Sequence, residues 1–148
     1  MSQLLDREES EPVNILRNVL ALIGGFIIGA IVNMGLIVIG PQVIPSPEGI
    51  DQTTEEGLRA GMALLEPKHF IFPFLAHALG TLVGAFFCAR IAATRKRELA
   101  LVIGFIFLSG GASMIYMMGG PLWFQILDLG FAYIPMAILG WILARSKS

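Results

Sequence analysis

The sequence has few charged residues and almost no cysteine, and both shortages exclude classes of protein. Charged residues make up 14% of its 148 residues, against about 25% in an ordinary soluble domain. The formal net charge is −1, so no large basic surface is available and we expect no nucleic-acid partner. The single cysteine, Cys88, excludes an intrachain disulfide and a metal site built from several cysteines. We expect neither a metal nor a cofactor.

Catalytic sequence motifs are also missing. The chain contains no glycine-rich phosphate loop and no HExxH, GxSxG or CxxC pattern. No segment outside the apolar runs is long enough to form a separate catalytic domain. We therefore expect a protein that is not an enzyme. An intramembrane enzyme with His77 and Asp128 as its acid–base groups is the least favoured alternative, because no nucleophile accompanies them.

Four long apolar runs dominate the sequence, in which 55% of the residues are hydrophobic. A helix of roughly 20 apolar residues crosses the ~30 Å hydrocarbon core of a bilayer, and the runs do not alternate in polarity as barrel strands do. The sequence predicts an all-α, polytopic membrane protein. A cytoplasmic N-terminal tail (1–13) precedes a single four-helix transmembrane domain (14–148), with spans at about 17–40, 69–92, 98–118 and 121–144.

The connections between the spans differ in length. The basic connection between spans 2 and 3 is short, and the Gly-Gly-Pro sequence at 119–121 is a tight turn, so the four spans are expected to form two antiparallel hairpins. The outer loop, 41–68, is the only long connection. Its second half has a capping-box pattern and helical apolar spacing, which predict a short extracytoplasmic amphipathic helix over 54–66.

The basic residues predict the orientation. With four spans, eight of the ten Lys and Arg residues fall on one side, and only Arg59 and Lys68 fall on the other. Because cytoplasmic loops carry an excess of Lys and Arg, we expect both termini in the cytoplasm and the bacterial cytoplasmic (inner) membrane as the location. The expected partner is the lipid bilayer, and a homo-oligomer or a larger membrane complex remains open.

Two ionisable residues lie inside the apolar runs. Asp128 is roughly 10 Å and His77 roughly 12 Å from the outer end of its span, at 1.5 Å per residue. A carboxylate that faces lipid costs at least ~2.5–3.5 kcal/mol, so we predict that Asp128 contacts His77. Other polar residues of the spans, at similar depth or one turn away, are expected to complete this cluster: Asn33, Thr81, Ser109, Ser113 and Gln125.

Glycines four residues apart predict close helix packing. Gly25 and Gly29 form one stripe on span 1, and Gly80 and Gly84 form another on span 2. Small residues at this spacing let the backbones of two membrane helices approach closely. These four residues are therefore the predicted packing positions.

Besides the intramembrane enzyme described above, two functions remain open from the sequence. The first is a non-enzymatic accessory or structural component of the membrane, in which the polar cluster only holds the helices together. The second is a small proton-linked carrier or channel that uses Asp128 and His77, since ionisable residues inside a membrane are functional candidates.

Overall fold

The structure, a computed structural model, describes the backbone of residues 2–51 and 53–145, and the side chains of this part from residue 11 onward. The described chain is all-helical. Two 3₁₀ turns, Met62–Leu64 and Pro67–Phe70, accompany six α-helices: α1 (Ser2–Val43), α2 (Glu55–Gly61), α3 (Ile71–Ile91), α4 (Lys96–Met118), α5 (Leu122–Phe131) and α6 (Ile134–Arg145).

Four helical stretches are long and apolar enough to cross a membrane: Glu11–Val43, Pro67–Ile91, Lys96–Met118 and Leu122–Arg145. They coincide with the four predicted spans. The first helix extends further toward the N-terminus than its predicted span, since α1 begins at Ser2. Residues 2–13 of the predicted polar tail therefore belong to the same continuous helix as the first apolar run.

Helix α3 lies at the centre of the molecule and packs against α1, α4 and α6. Most of its buried residues are small: Ala76, Ala78, Gly80, Thr81, Gly84, Ala85, Cys88 and Ala89. Side chains of this size let neighbouring helices approach closely on several sides. The composition of α3 thus explains why this helix, and not a more apolar one, occupies the centre.

The four predicted packing glycines meet at the interface between α1 and α3. A Cβ atom on Gly25 would lie 2.7 Å from the carbonyl oxygen of Gly84, and one on Gly29 would lie 2.6 Å from that of Gly80. Such distances are shorter than real Cβ contacts, so a side chain at either position would force the helices apart. Glycine is therefore required here by proximity of the two backbones.

The fourth apolar run is divided into α5 and α6 by a bend at Ala132 and Tyr133. Pro135 is the second residue of α6. It has no N–H to donate to the carbonyl group of Phe131, and its ring clashes with that carbonyl in a continuous helix. The kink that Pro135 predicts is therefore present, two to three residues before the proline itself.

The outer loop contains less regular helix than the sequence predicts. Helix α2 begins after Thr54, whose side chain accepts a hydrogen bond from the Gly57 N–H, but it ends at Gly61 and only a 3₁₀ turn follows. Leu65 is extended, and Pro67 cannot donate to a preceding carbonyl group. The predicted helix over 54–66 is thus wrong in its second half.

Candidate functional site: a buried carboxylate, imidazole and phenol

Asp128, on α5, is one of two polar or charged residues in the buried core of the described chain. Its side chain is 1% exposed. Aromatic contacts fix its height relative to α3, because Phe124, one turn before it, packs against Phe70 with ring centroids 4.7 Å apart. Phe70 lies two turns before His77. This ring contact places α5 beside the start of α3, on the side from which His77 can reach Asp128.

The predicted contact between Asp128 and His77 is present. The Nδ1 atom of His77 lies 2.8 Å from Oδ1 and 2.9 Å from Oδ2 of the carboxylate. Because a carboxylate only accepts hydrogen bonds, Nδ1 carries the hydrogen and donates it to both oxygens. The other ring nitrogen, Nε2, makes no hydrogen bond within the described chain, and the imidazole is 18% exposed.

Tyr133 is a third member of the cluster, and the sequence analysis missed it. Its hydroxyl donates to Oδ2 of Asp128 at 2.9 Å, and its ring stacks on that of His77 with centroids 5.5 Å apart. In a continuous helix, residues five apart point about 140° away from each other. The bend at Ala132 and Tyr133 turns the phenol back toward the carboxylate, so the predicted kink was the signal that could have identified it.

Helix α4 contributes space instead of a polar group. A Cβ atom on Gly111 would collide with the hydroxyl oxygen of Tyr133. The ring of Tyr133 is 1% exposed and is held between α4 and the imidazole of His77. In the triad of Asp128, His77 and Tyr133, α3 thus supplies His77, α5 supplies Asp128 and the bend after α5 supplies Tyr133. Helix α4 supplies the space at Gly111 that the Tyr133 hydroxyl occupies.

Most of the other residues predicted for the cluster lie elsewhere. The hydroxyl groups of Ser109 and Ser113 donate within α4, each to the carbonyl oxygen four residues earlier at 2.8 Å, and both residues are exposed. Serine in a helix often satisfies its hydroxyl in this way. Gln125 donates to the Gly120 carbonyl oxygen at 2.8 Å. Asn33 packs against Gly80. These four residues make no hydrogen bond to Asp128.

Thr81 lies one helical turn after His77 and is completely buried. Its hydroxyl oxygen has no hydrogen-bond partner within the described part of the chain. It belongs to the face of α3 that the sequence predicts, but it makes no hydrogen bond to any triad residue.

The triad offers few ligand atoms to a metal or a cofactor. Among the residues that the structure describes, no group of three or more His, Cys, Asp or Glu side chains could hold a metal ion. The carboxylate is already engaged with His77 and Tyr133, which leaves Nε2 of His77 as the available donor atom. One such atom can accept a proton or a hydrogen bond, but it makes a thin metal site.

Two open grooves lie along α2 and the C-terminal end of α4, away from the triad. One, of about 650 Å³, is lined by Glu55, Glu56, Arg59, Tyr116 and Met117. The other, of about 470 Å³, includes Arg59, Phe70 and Trp123 in its lining. Neither groove is lined by Asp128, His77 or Tyr133, so the buried carboxylate does not face a ligand cavity there.

Comparison of the chain with protein-family models, with curated proteins and with solved structures finds no match.

Proposed function

We propose that this chain is a non-enzymatic integral membrane protein, an accessory or structural component, whose triad fixes the positions of α3, α5 and α6. The main support is the environment of the Asp128 side chain. Both carboxylate oxygens are hydrogen-bonded within the protein, and 1% of the side chain is exposed. A buried polar group that is fully satisfied holds helices in register, at about 0.6–2 kcal/mol per hydrogen bond.

The proposal includes a topology of two antiparallel hairpins in the bacterial cytoplasmic membrane, with both termini in the cytoplasm. The contacts of the arginines support it. Arg17 donates to the Ile91 carbonyl oxygen at 2.7 Å and Arg90 donates to that of Ala144 at 3.3 Å. Arg17, Arg90 and the end of α6, which the positive-inside rule assigns to the cytoplasm, thus lie at one end of the bundle.

The surroundings of the triad favour a structural role over a proton relay. A relay needs a continuous series of polar groups or water from one membrane face to the other. Ser109, Ser113 and Gln125, which were the predicted continuation of the cluster, are hydrogen-bonded to backbone carbonyl groups instead. Beyond Tyr133 and His77, the carboxylate makes no hydrogen bond within the described chain.

Substitution of the triad tests this proposal. His77→Ala leaves a buried carboxylate without its imidazole partner, which costs about 3–5 kcal/mol, whereas Tyr133→Phe removes one hydrogen bond and should cost about 0.6–2 kcal/mol. The His77→Ala/Asp128→Asn double variant has no unpaired buried charge. Its loss of unfolding free energy should therefore be smaller than the sum of the losses in the His77→Ala and Asp128→Asn single variants. The measurement is unfolding in detergent micelles, with the exposed Ser113→Ala as the matched control.

A second function, a proton-linked carrier or channel, is supported by one observation. Nε2 of His77 makes no hydrogen bond within the described chain, and the imidazole is partly exposed, so this atom can accept a proton. Proton flux into liposomes that contain the purified protein separates the two functions. If His77→Ala abolishes a proton flux while the protein stays folded, the structural proposal is wrong. If the proton flux is the same in the wild type and in His77→Ala, and the variant has reduced thermal stability, the structural proposal is supported.

A further inference from the structure

The end of the bundle opposite the outer loop carries arginines from four helices. They are Arg17 on α1, Arg90 on α3, Arg97 on α4 and Arg145 on α6, and all four are exposed. We call these four residues the arginine end. The hydrogen bonds of Arg17 to Ile91 and of Arg90 to Ala144 bring the ends of α1, α3 and α6 together.

The indole ring of Trp141 contacts two of these arginines. The guanidinium carbon of Arg145 is 4.7 Å from the centroid of the indole ring, and that of Arg97 is 5.5 Å away. Cation–π contacts of this kind hold both guanidinium groups beside the same indole ring. Tryptophan is enriched where hydrocarbon gives way to lipid headgroups, so the two charges lie at headgroup depth.

Among the side chains of residues 11–51 and 53–145, no carboxylate pairs with Arg97 or Arg145. Within residues 11–51 and 53–145, Glu66 contacts Lys68 and Asp128 contacts His77, and Glu98, the nearest acid in sequence to Arg97, lies at ion-pair distance from no basic side chain. The guanidinium groups of Arg97 and Arg145 make no hydrogen bond among these residues. Each guanidinium therefore retains its planar set of N–H donors, which matches the geometry of a phosphate group.

We propose that the arginine end binds the headgroup of an anionic phospholipid, with its phosphate against Arg97 and Arg145 beside Trp141. Exposed apolar side chains continue along both helices from this spot, among them Val102 on α4 and Leu139 and Ile142 on α6, and they provide a surface for the acyl chains. An anionic lipid is favoured over a zwitterionic one because basic residues at the cytoplasmic surface attract its net negative charge.

Lipid titration followed by native mass spectrometry of the detergent-solubilised full chain tests this proposal. We expect phosphatidylglycerol to bind more tightly than phosphatidylcholine. The Arg97→Gln/Arg145→Gln double variant should lose about 25-fold in affinity for phosphatidylglycerol, or about fivefold per arginine. The matched control, Arg59→Gln/Lys68→Gln, removes the same charge from the opposite end and should bind as the wild type does.

Three results would overturn the proposal. They are equal binding of the two lipids by the wild type, full preference for phosphatidylglycerol in the arginine double variant, and an equal loss in the control variant, which would indicate a diffuse charge effect. Displacement of the lipid by 10-fold excess inorganic phosphate would show a free-anion site instead. A folded Arg97→Lys/Arg145→Lys variant, which keeps charge but loses the planar donors, should show an intermediate affinity.

This inference rests on the membrane insertion proposed above, and the two can fail separately. Insertion is measured by recovery of the full chain in carbonate-washed membranes. A chain absent from that fraction contradicts the proposed function, whereas a chain that is inserted but has no preference for phosphatidylglycerol contradicts only the lipid site.

Discussion

The hydroxyl of Tyr133 occupies space that a glycine at position 111 leaves open. A Cβ atom at that position would collide with the phenol oxygen, and the phenol is fixed on its other side by Asp128 and His77. We expect Gly111→Ala to destabilise the protein by about 1–3 kcal/mol, the usual cost of overpacking. The measurement is the free energy of unfolding in detergent micelles.

The neighbouring glycine provides the control for this prediction. Gly110 has no atom within 4 Å of the place that a Cβ would take, so Gly110→Ala should be neutral or stabilise the helix by up to about 1 kcal/mol. In a Tyr133→Phe background, which lacks the phenol oxygen, Gly111→Ala should cost less than in the wild type. Equal costs in the two backgrounds would show that the hydroxyl is not what position 111 accommodates.

Asp51, in the outer loop, gives a prediction about pH. Hydrogen bonds from the Thr53 hydroxyl, the Thr53 backbone N–H and the Thr54 hydroxyl stabilise its carboxylate and lower its pKa below 3.8. The folded pKa lies below the unfolded one, so this carboxylate stabilises the loop above that unfolded value. The contribution is lost as the pH falls through the folded pKa. NMR titration of the carboxyl carbon should give a midpoint below 3.8.

The cause of this pKa shift is tested by removing one donor at a time. The largest cause is the Thr53 side chain, so Thr53→Ala should raise the midpoint toward its usual value. Thr54→Ala should raise it less, and this variant also removes the N-terminal cap of α2. An unchanged midpoint in Thr53→Ala would contradict the assignment.

Contacts between individual residues could be predicted from the sequence where a buried charged group without a partner would cost much free energy. In the predicted membrane span, lipid could not solvate the carboxylate of Asp128, and His77 was the one titratable side chain expected at its depth, so the pairing was predicted from energetics. Ser109 and Ser113 do not join the cluster, because each hydroxyl donates to the backbone carbonyl oxygen four residues earlier in the helix. Tyr133 was missed because its direction depends on the bend before Pro135, which has to be considered together with residue spacing.

At the scale of helices, the contact between α1 and α3 depends on backbone proximity. A Cβ on Gly29 would lie 2.6 Å from the Gly80 carbonyl oxygen, whereas one on Gly35, in the same helix, would meet nothing within 4 Å. We expect Gly29→Ala to cost about 1–3 kcal/mol and Gly35→Ala to be neutral or mildly stabilising. Unfolding in detergent measures both, and equal effects would mean that α1 does not pack on α3 through this glycine.

Helix boundaries were predictable to different degrees. The ends of α3 and α4 follow from abrupt changes between apolar and basic sequence, and the division of the last span follows from Pro135. Helix α2 was predicted too long because apolar spacing continues past Gly61, although a short loop helix is determined mainly by its contacts. Gly61 is one such contact, since a Cβ there would lie 2.5 Å from a side-chain carbon of Ile50.

At the scale of the whole molecule, the arginine end and the loop of α2 lie at opposite ends of the bundle. Asn18 on α1 strengthens the arginine end: its side chain accepts from the backbone N–H of Ala93 and donates to the Thr94 hydroxyl. The connection between α3 and α4 is thereby tied to α1. The charge pattern predicts which residues share this side, but only the folded chain brings them close enough to act on one ligand.

The orientation of the bundle can be tested with the chain's own cysteine content. Cys88 is the single cysteine and is buried, so the wild type should not react with a membrane-impermeant maleimide. Glu48, in the outer loop, and Glu98, at the start of α4, are both exposed. In intact cells Glu48→Cys should be labelled at once and Glu98→Cys only after permeabilisation, because basic connections remain in the cytoplasm. The reverse pattern would invert the topology, and labelling of both variants in intact cells would contradict the proposed spans, since the hydrocarbon core must separate the two positions.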